Sequence, residues 1–338
     1  MRKRYTTIKD IAKALNISVA TVSRALRDKY DVSAATRESV LEVARQMNYK
    51  PNFNATGLVQ QSTHNIGVII PTITNYYFSS VITGIQEVAW ESNFNIVLYI
   101  TNDLPEVEMK IAQNLSGSSL DGILACVAPR ENDYPHFEEM IGDGLPVVFF
   151  DRVARSVRTS KVMQDDYNGA FTAVEHLIER GYRKIAHITS SKQLLLTENR
   201  LSGYYKALEK HDLPAIPELL VHSGFSQQDG ERDVARLFDN PGEKPDAIFA
   251  VNDRKGIGAI QALKKRGITV GREVGVIGFT NDPISEIISP SLSTIAEPAC
   301  EIGKTACQLL LKHIRKSNFT PEELTLSCEL IVRESTNR

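Results

Sequence analysis

Polar and aromatic side chains that could hold a small molecule recur just after the short apolar runs of this sequence. Carboxylates, amides and arginines can bind hydroxyl groups, and aromatic rings can stack on the apolar face of a sugar or a base. At any one position a turn residue, a helix cap or a surface charge is the simpler explanation. Their recurrence at the ends of apolar runs is what favours a binding cleft. The candidates are Asn75, Tyr77, Phe78, Asp151, Arg152, Asp166, Arg200, Phe225, Asn252, Asp253, Thr280 and Asn281.

The apolar runs alternate with longer segments of helical periodicity. Short strands separated by helices predict parallel β-α-β units, in which ligands bind beyond the carboxyl ends of the strands. This alternation of strand and helix recurs weakly within the chain, which predicts two similar subdomains. The predicted strands lie in NIGVIIP, NIVLYIT, DGILACVA, LPVVFFD, RKIAHIT, DAIFAVND and VGVIGFT.

Motifs for catalysis or cofactor binding are missing from the sequence. It contains no GxSxG, no P-loop and no HExxH, and the GIGAIQ segment at Gly256 lacks the third glycine of a dinucleotide-binding turn. Asp165 and Asp166 are adjacent, so alternation along a strand would point them to opposite faces. The four cysteines show no metal-ligand spacing, which fits a reducing compartment. We therefore expect no enzyme, no cofactor and no metal site.

The charge distribution divides the chain into a basic segment and an acidic remainder. With 338 residues, 42% hydrophobic and 24% charged, the chain has the composition of a globular protein of two or three domains. Residues 1–60 carry eleven Lys and Arg against five Asp and Glu, a net +6, and the whole chain carries −2, which leaves −8 on the other 278 residues. A compact basic segment of this kind is typical of nucleic-acid binding.

The first residues are basic but lack the apolar run of a signal peptide. No stretch approaches the roughly 18 consecutive apolar residues of a membrane span. We therefore expect a cytoplasmic protein.

The segment TTIKDIAKALNISVATVSRALRDK predicts two short helices around a tight turn. Thr7 and Asp10 form a capping-box pattern, Asn16 tolerates the left-handed conformation of a turn, and Ser18 can cap the second helix. A third helix is predicted from Ser33. The residues expected to face inward are Ile8, Ile11, Ala12, Leu15, Val22, Ala25, Leu26, Val40, Val43, Ala44 and Met47.

Three short helices with small residues and arginine on the outer face of the second suit a helix-turn-helix that enters the major groove. Val19 and Ala20 could touch thymine methyl groups, and Arg24 could reach guanine. A small helix bundle with solvated arginines is the alternative, and the charge asymmetry favours DNA binding. The short hydroxyl side chains suited to phosphate oxygens are Thr7, Ser18 and Thr21.

The pattern T-I-K-D-I-A-K, I-S-V-A-T-V-S-R-A-L and N-Y-K-P-N closely resembles the head of the LacI/GalR family of bacterial transcriptional regulators. The resemblance continues through nearly the full length of the chain. It implies an α/β protein with an N-terminal three-helix helix-turn-helix head and a periplasmic-binding-protein-like body. That body would consist of two parallel-sheet α/β subdomains joined by three crossovers, with an effector in the cleft between them.

The resemblance also implies roles for particular cleft residues. Arg200 would clamp effector hydroxyls or a carboxylate, and Asp151 and Asn252 would form hydrogen bonds. Phe225 would stack on the effector, while Tyr77 and Phe78 would line the mouth of the cleft. One departure concerns Thr280: many relatives read G-F-D-D where this chain has G-F-T-N, so an acidic contact is missing.

The stretch YKPNFNATGLVQQSTHNIGVIIP joins the two parts of the chain. The resemblance implies that its segment from Asn52 to Gln60 is a hinge that becomes helical on DNA. Asn52, Ala55 and Leu58 would contact DNA there, with Leu58 wedged into the minor groove. This chain has Thr56 and Gly57 where many relatives have Arg and Ser, which predicts a hinge unusually dependent on DNA.

We therefore expect an allosteric transcription regulator, most simply a repressor, that binds near-palindromic double-stranded operator DNA as a homodimer and has no membrane partner. A sugar or sugar derivative is the expected effector; a purine or other metabolite is the alternative, and a solute-binding protein without DNA binding is a further one. Ile257 and Ile288 match family dimer contacts, although burial in their own subdomain is equally open. The expected domains are a head at 1–50, a hinge at 51–64, a first effector subdomain at 65–162 plus 293–324, and a second at 163–292 plus 325–338.

Overall fold

The structure of the protein is a computed structural model that describes residues 6–26, 32–49, 62–115, 120–130, 133–316 and 320–338. The chain divides into two compact units, Met1–Thr63 and His64–Arg338, which are described separately below. The expected DNA contacts Asn52, Ala55 and Leu58, and Gly57 with them, lie outside the described residues.

The first unit contains helices α1 (Ile8–Leu15), α2 (Val19–Leu26) and α3 (Ala34–Gln46). The predicted capping box at Thr7 and Asp10 is present, and Asn16 ends α1 in the left-handed conformation with φ of 54°. The expected inward-facing residues are confirmed as one small core. Its fully buried members are Ile11, Ala12, Val22, Ala25, Val40 and Ala44, and partly buried members include Ile8, Leu15, Leu26, Val43 and Met47.

The second unit alternates strands and helices, as the apolar runs predicted. The elements in chain order are β1 (Asn65–Ile70), α4 (Tyr76–Glu91), β2 (Asn95–Ile100), α5 (Pro105–Leu115), β3 (Gly122–Ala125), α6 (Pro135–Gly142), β4 (Val147–Phe150), β5 (Lys161–Gln164), α7 (Asp166–Glu179), β6 (Ile185–Thr189), α8 (Leu195–Lys210), β7 (Leu220–His222), α9 (Gln227–Asp239), β8 (Ala247–Ala250), α10 (Asp253–Lys265), β9 (Gly275–Thr280), α11 (Ile284–Ile287), β10 (Ser293–Ala296), α12 (Ala299–Arg315), β11 (Glu323–Leu326) and β12 (Glu329–Ile331). None of the helices within the described ranges is long and apolar enough to cross a membrane.

The described strands form two six-stranded sheets, ordered β11-β5-β4-β3-β1-β2 and β12-β10-β9-β8-β6-β7. Neighbouring strands are parallel except for the pair β10 and β12. Apolar residues are buried on both faces of each sheet because helices cover both faces. Each sheet is therefore the centre of one subdomain, and the carboxyl ends of its parallel strands lie at one edge.

The chain crosses between the two sheets after β5, after β10 and after β11. The expected boundary before residue 293 is wrong, because Ser293 pairs with Ile277 of β9 and β10 belongs to the second sheet. The apolar pattern could not reveal which sheet such a short strand joins. The return to the first subdomain follows β10, so Glu297 lies on the crossover itself.

Candidate functional site

An open cavity of about 350 Å³, part of it continuous with solvent, lies between the two subdomains of the body, at the carboxyl ends of their strands. It continues into a larger recess of about 930 Å³. All seven predicted effector residues line the central cavity, namely Tyr77, Phe78, Asp151, Arg200, Phe225, Asn252 and Thr280. Four further residues complete the wall, namely Asn75, Arg152, Leu196 and Glu297.

Arg200 projects from α8 and is 4% exposed. Its Nε donates to Asp166 Oδ1 at 2.7 Å, its Nη2 donates to Glu297 Oε1 at 2.7 Å, and its Nη1 donates to the carbonyl of Val251. The guanidinium also stacks 3.6 Å from the centre of the Phe279 ring. The protein itself therefore holds the arginine that was expected to clamp an effector.

The two carboxylates bound to Arg200 are buried, and burial disfavours their charged forms. Burial raises the pKa of Asp166 to about 6 and that of Glu297 to about 7, although Arg200 opposes the rise in both. The single positive charge of Arg200 therefore does not fully compensate the negative charges of Asp166 and Glu297.

Gln164, at the end of β5, connects this cluster to Asp151 in the first subdomain. Its Nε2 donates to Asp151 Oδ1 at 2.9 Å and to Asp166 Oδ1 at 3.3 Å, and its Oε1 accepts from the Tyr77 hydroxyl at 3.4 Å. Burial, and then the charge of Asp151, raise the pKa of Tyr77 well above its usual value. Tyr77 therefore stays a neutral hydrogen-bond donor in the cavity wall.

Arg152 covers the ring that was expected to stack on an effector. Its guanidinium carbon lies 4.7 Å from the centre of the Phe225 ring, and its Nη1 donates to Asp103. Its Nε is buried without a hydrogen-bond partner, 3.9 Å from Asp151 Oδ2. A ligand that stacks on this face of Phe225 must first displace Arg152.

Asn252 serves both as a helix cap and as part of the cavity wall. Its Oδ1 accepts from the backbone N of Lys255 at 2.8 Å at the start of α10, and its Nδ2 donates to the carbonyl of Phe225 at 3.1 Å. The cap fixes the amide, and the amide in turn fixes the backbone that carries Phe225. This geometry fits a role of Asn252 as a helix cap and also a role in binding a ligand.

Strained backbone marks the ends of two strands at the cavity. Asp151 follows β4 with φ of 59°, and the β-branched Thr280 ends β9 with φ of 131°. Such conformations are costly for residues other than glycine, and they concentrate where a side chain must be aimed at a ligand. Their position fits a binding cleft.

The contact between α4 and α12 sets the distance between Tyr77 and Glu297. A Cβ atom on Gly84 would lie 2.1 Å from the carbonyl oxygen of Cys300, and one on Gly303 would lie 2.1 Å from that of Val81. The two helices therefore approach at glycine positions. This close contact holds the start of α4 against the segment that precedes α12.

Glu297 lines the cavity and was not among the candidates that the sequence indicated. A hydrogen bond from Thr280 lowers the pKa of Glu297, against the larger rise caused by burial. The acid missing at Thr280 is thus replaced in space by a carboxylate from the crossover. The only sequence signal was the position of Glu297 directly after the apolar segment STIA.

In the first unit, Val19, Ala20 and Arg24 are exposed on α2, which leaves a face of small residues and one arginine. Ser18 Oγ accepts from the backbone N of Thr21 at 3.0 Å, which confirms the predicted cap. Ser18 and Thr21 also share a hydrogen bond between their hydroxyls at 2.8 Å. The hydroxyls therefore lie together at the N-terminus of α2.

Comparisons with known proteins match both units. Residues 7–52 match the model of bacterial regulatory proteins of the lacI family, and residues 174–336 match a periplasmic binding protein-like domain. Catabolite control protein A of Priestia megaterium is 30% identical over 331 residues, which cover 98% of this chain and 99% of that protein.

Two solved structures have the same fold over 98% of this chain and 99% of their own. The transcriptional regulator CelR in complex with cellobiose has a TM-score of 0.75 and 25% identity. The lac repressor dimer bound to operator and the anti-inducer ONPF has a TM-score of 0.86 and 24% identity, which supports the fold alone. The chain belongs to the lacI family of bacterial regulatory proteins.

Proposed function

We propose that the protein is a transcription repressor whose affinity for operator DNA is set by a polar small molecule, a sugar or sugar derivative, bound in the cleft. The observation that carries this proposal is the convergence of seven separately predicted residues on one cavity between two subdomains. Membership of a regulator family places the chain among non-enzymatic proteins, and we propose that it acts in the cytoplasm.

The exposed face of α2 supports major-groove recognition. Val19 and Ala20 are small enough to approach thymine methyl groups, and Arg24 can form a bidentate pair with guanine. Ser18 and Thr21 at the helix N-terminus, with Thr7, can bind phosphate oxygens. Asn52, Ala55 and Leu58 remain proposed minor-groove contacts on the strength of the family resemblance.

Exposed apolar side chains on the body support pairing of two copies. Val97 and Leu98 are 37% and 40% exposed on β2, which is the edge strand of the first sheet, and Ile287 is 81% exposed on α11. Ile257, one of the two family-matched candidates, is 5% exposed and packs in the core of its own subdomain. Burial in that core is therefore the better explanation for Ile257. A two-fold dimer would present two heads to the half-sites of a near-palindromic operator.

The DNA part of the proposal is tested with Arg24→Ala and a matched control, Arg45→Ala. Arg45 lies on α3 with its side chain 75% exposed, so its removal changes the charge of the head equally. We expect Arg24→Ala to weaken operator binding by about 1–3 kcal/mol more than it weakens binding to non-specific DNA. Arg45→Ala should change both affinities alike. Equal specific losses in the two variants, measured by titration at fixed salt, would refute the assignment of α2.

The effector part is tested by thermal shift of the full chain with sugars, sugar phosphates and purines. A ligand that binds the folded protein raises its melting temperature as its concentration exceeds Kd. We expect a sugar or sugar derivative to give the largest shift and to change operator affinity. A larger shift from a purine would replace the sugar with a purine in the proposal.

A further inference from the structure

The charged side chains around the central cavity do not balance. The carboxylates of Asp151, Asp166 and Glu297 are buried, with 7%, 4% and 5% of the side chain exposed. Arg152 pairs with Asp103, which is 37% exposed, and lies 3.9 Å from Asp151, whereas Arg200 pairs with Asp166 and Glu297, so two arginines face four carboxylates. Among the described residues that line the central cavity, Arg152 and Arg200 are the only cationic side chains.

A buried carboxylate is stable only when it is neutralised or fully paired. Arg200 contacts Asp166 and Glu297 directly, whereas Asp151 is joined to the cluster through the uncharged Gln164. Asp151 and Glu297 both reach the cavity surface. A cation that enters the cavity would therefore meet two carboxylates, each of which shares its arginine with another acid.

Aromatic side chains also lie around the cavity. Arg152 already stacks on Phe225, and Arg200 on Phe279, so these two faces are occupied by guanidinium groups. Tyr77 and Phe78 also line the cavity, with ring centres 5.1 Å apart. The faces of such rings attract cations.

We infer that the cleft selects a polyhydroxylated effector that carries a protonated amine, such as an amino sugar, and places the ammonium group against Asp151 and Glu297. This inference rests on the proposed function, since it specifies the ligand class of the same cavity. The cavity defines the site, and the surplus of carboxylates defines the charge of its ligand. Hydroxyl groups of the ligand would bind the remaining polar wall.

An anionic effector fits the same geometry poorly. To bind it, Arg200 would have to release Asp166 or Glu297, and Arg152 would have to leave Asp103 and Phe225. The incoming anion would also approach the surplus carboxylates. A sugar acid or sugar phosphate is therefore expected to bind more weakly than the neutral sugar with the same ring.

A bound proton is the other way to neutralise the cluster. The raised pKa of Glu297, about 7, means that this carboxyl is partly protonated at neutral pH because of its burial. An ammonium group beside it would lower that pKa and expel the proton. At pH 6, where the free amine is already protonated, its binding should therefore release protons to the buffer, and binding of a neutral sugar should not.

The experiment is isothermal titration of the full chain at pH 7.5 with three ring series: gluco, galacto and manno. Each series contains the neutral sugar, its 2-amino derivative and its uronic acid. In the series that binds, we expect the amine to bind at least tenfold more tightly than the neutral sugar and the uronate at least tenfold more weakly. Repeating the titration at pH 6, in buffers of different ionisation enthalpy, measures the released protons.

Glu297→Gln removes one surplus carboxylate and should reduce the preference for the amine to less than about a third of the wild-type ratio. Glu301→Gln is the matched control, since Glu301 is exposed on α12 beside Lys304 and should keep the wild-type ratio. If Glu297→Gln does not fold, the ligand series on the wild-type chain still decides.

The possible failures are distinguishable. Equal affinities within a series, or tightest binding by the uronate, would overturn the inference and leave the proposed sugar-responsive regulator intact. If no member of any series binds, the sugar part of the proposed function falls and this inference falls with it. The operator titration would be unaffected by either result.

Discussion

Two buried cations in the body are held in opposite ways. Lys255, on α10, is fully buried, and its Nζ lies 2.7 Å from Asp233 Oδ2 and donates to Ser223 Oγ at 2.8 Å and to the carbonyl of Thr189 at 2.7 Å. The Asp233 carboxylate compensates the charge, and together with the Ser223 hydroxyl and the Thr189 carbonyl it accepts all three N–H groups. Arg200 shares its charge among several carboxylates beside a cavity.

This difference separates a structural ion pair from a binding site. A balanced and fully bonded pair has nothing left to offer a ligand, and its role is to hold elements together; Lys255 ties α10 to α9 and to the ends of β6 and β7. An unbalanced cluster retains electrostatic free energy that a ligand can relieve. Burial of charge alone therefore does not mark a functional site.

The largest effect is expected when the balanced pair is broken. Lys255→Met leaves Asp233 as an uncompensated buried carboxylate, and we expect the free energy of unfolding to fall by about 3–5 kcal/mol. Urea unfolding of the full chain measures this loss. The double variant Lys255→Met with Asp233→Leu should regain most of it, because both charges are gone. A loss below about 1 kcal/mol in the single variant would show that the pair is not structural.

A smaller loss is expected in the unbalanced cluster, and it should depend on pH. Arg200→Met removes the counter-ion of Asp166 and Glu297, and we expect a loss of about 3 kcal/mol at pH 7.5. At pH 5.5 the loss should be smaller, since pKa values already raised to about 6 and 7 allow both carboxyls to take up protons. Urea midpoints at the two pH values measure the difference. An equal loss at both would contradict the shared-charge interpretation.

The wild-type chain should itself show this pH dependence. Glu297 has a folded-state pKa of about 7, above its usual 4.5 because of burial, so its stabilising contribution is complete below about pH 4.5 and is lost as the pH rises through 7. Between pH 5.5 and 8 we expect Glu297 to account for about 2 kcal/mol of declining stability. Glu297→Gln should remove this slope, and Glu301→Gln should keep it. Parallel profiles for the wild type and Glu297→Gln would refute the raised pKa.

Local patterns in the sequence predict most of the helices and strands, but they do not predict the net charge of the central cavity. The capping box at Thr7, the left-handed Asn16 and the cap at Ser18 depend on residues within one turn of the chain, so the sequence predicts them directly. The strand-end rule for parallel sheets indicated where the cavity lies, and the family resemblance selected its seven residues, among them Arg200 within α8. The short or polar strands β5, β7, β10, β11 and β12 were missed, since periodicity is weak over three or four residues.

The contact between Glu297 and Arg200 could not be predicted, since 97 residues separate them and Glu297 lies on the crossover that follows β10. The sequence shows that residue 280 is not an acid, but the approach of the Glu297 carboxylate to Thr280 depends on where a crossover lies in space. The net charge of a cleft is likewise a tertiary property. The class of effector therefore depends on a charge balance that the sequence alone does not provide.

Two serine helix caps in the head allow a similar comparison between uncharged groups. The expected change in stability is the smallest of those predicted here. Ser18 and Ser33 make near-identical caps: each Oγ accepts from a backbone N three residues on, at 3.0 and 3.2 Å, and each bonds a threonine hydroxyl at 2.8 Å. Ser18→Ala and Ser33→Ala should each destabilise the head by about 1 kcal/mol, measured by thermal unfolding followed by circular dichroism. Operator titration should separate them, because only Ser18 lies at the N-terminus of the proposed recognition helix. If Ser33→Ala weakens operator binding as much as Ser18→Ala, both serines act through stability alone, and the phosphate contact proposed for Ser18 is wrong.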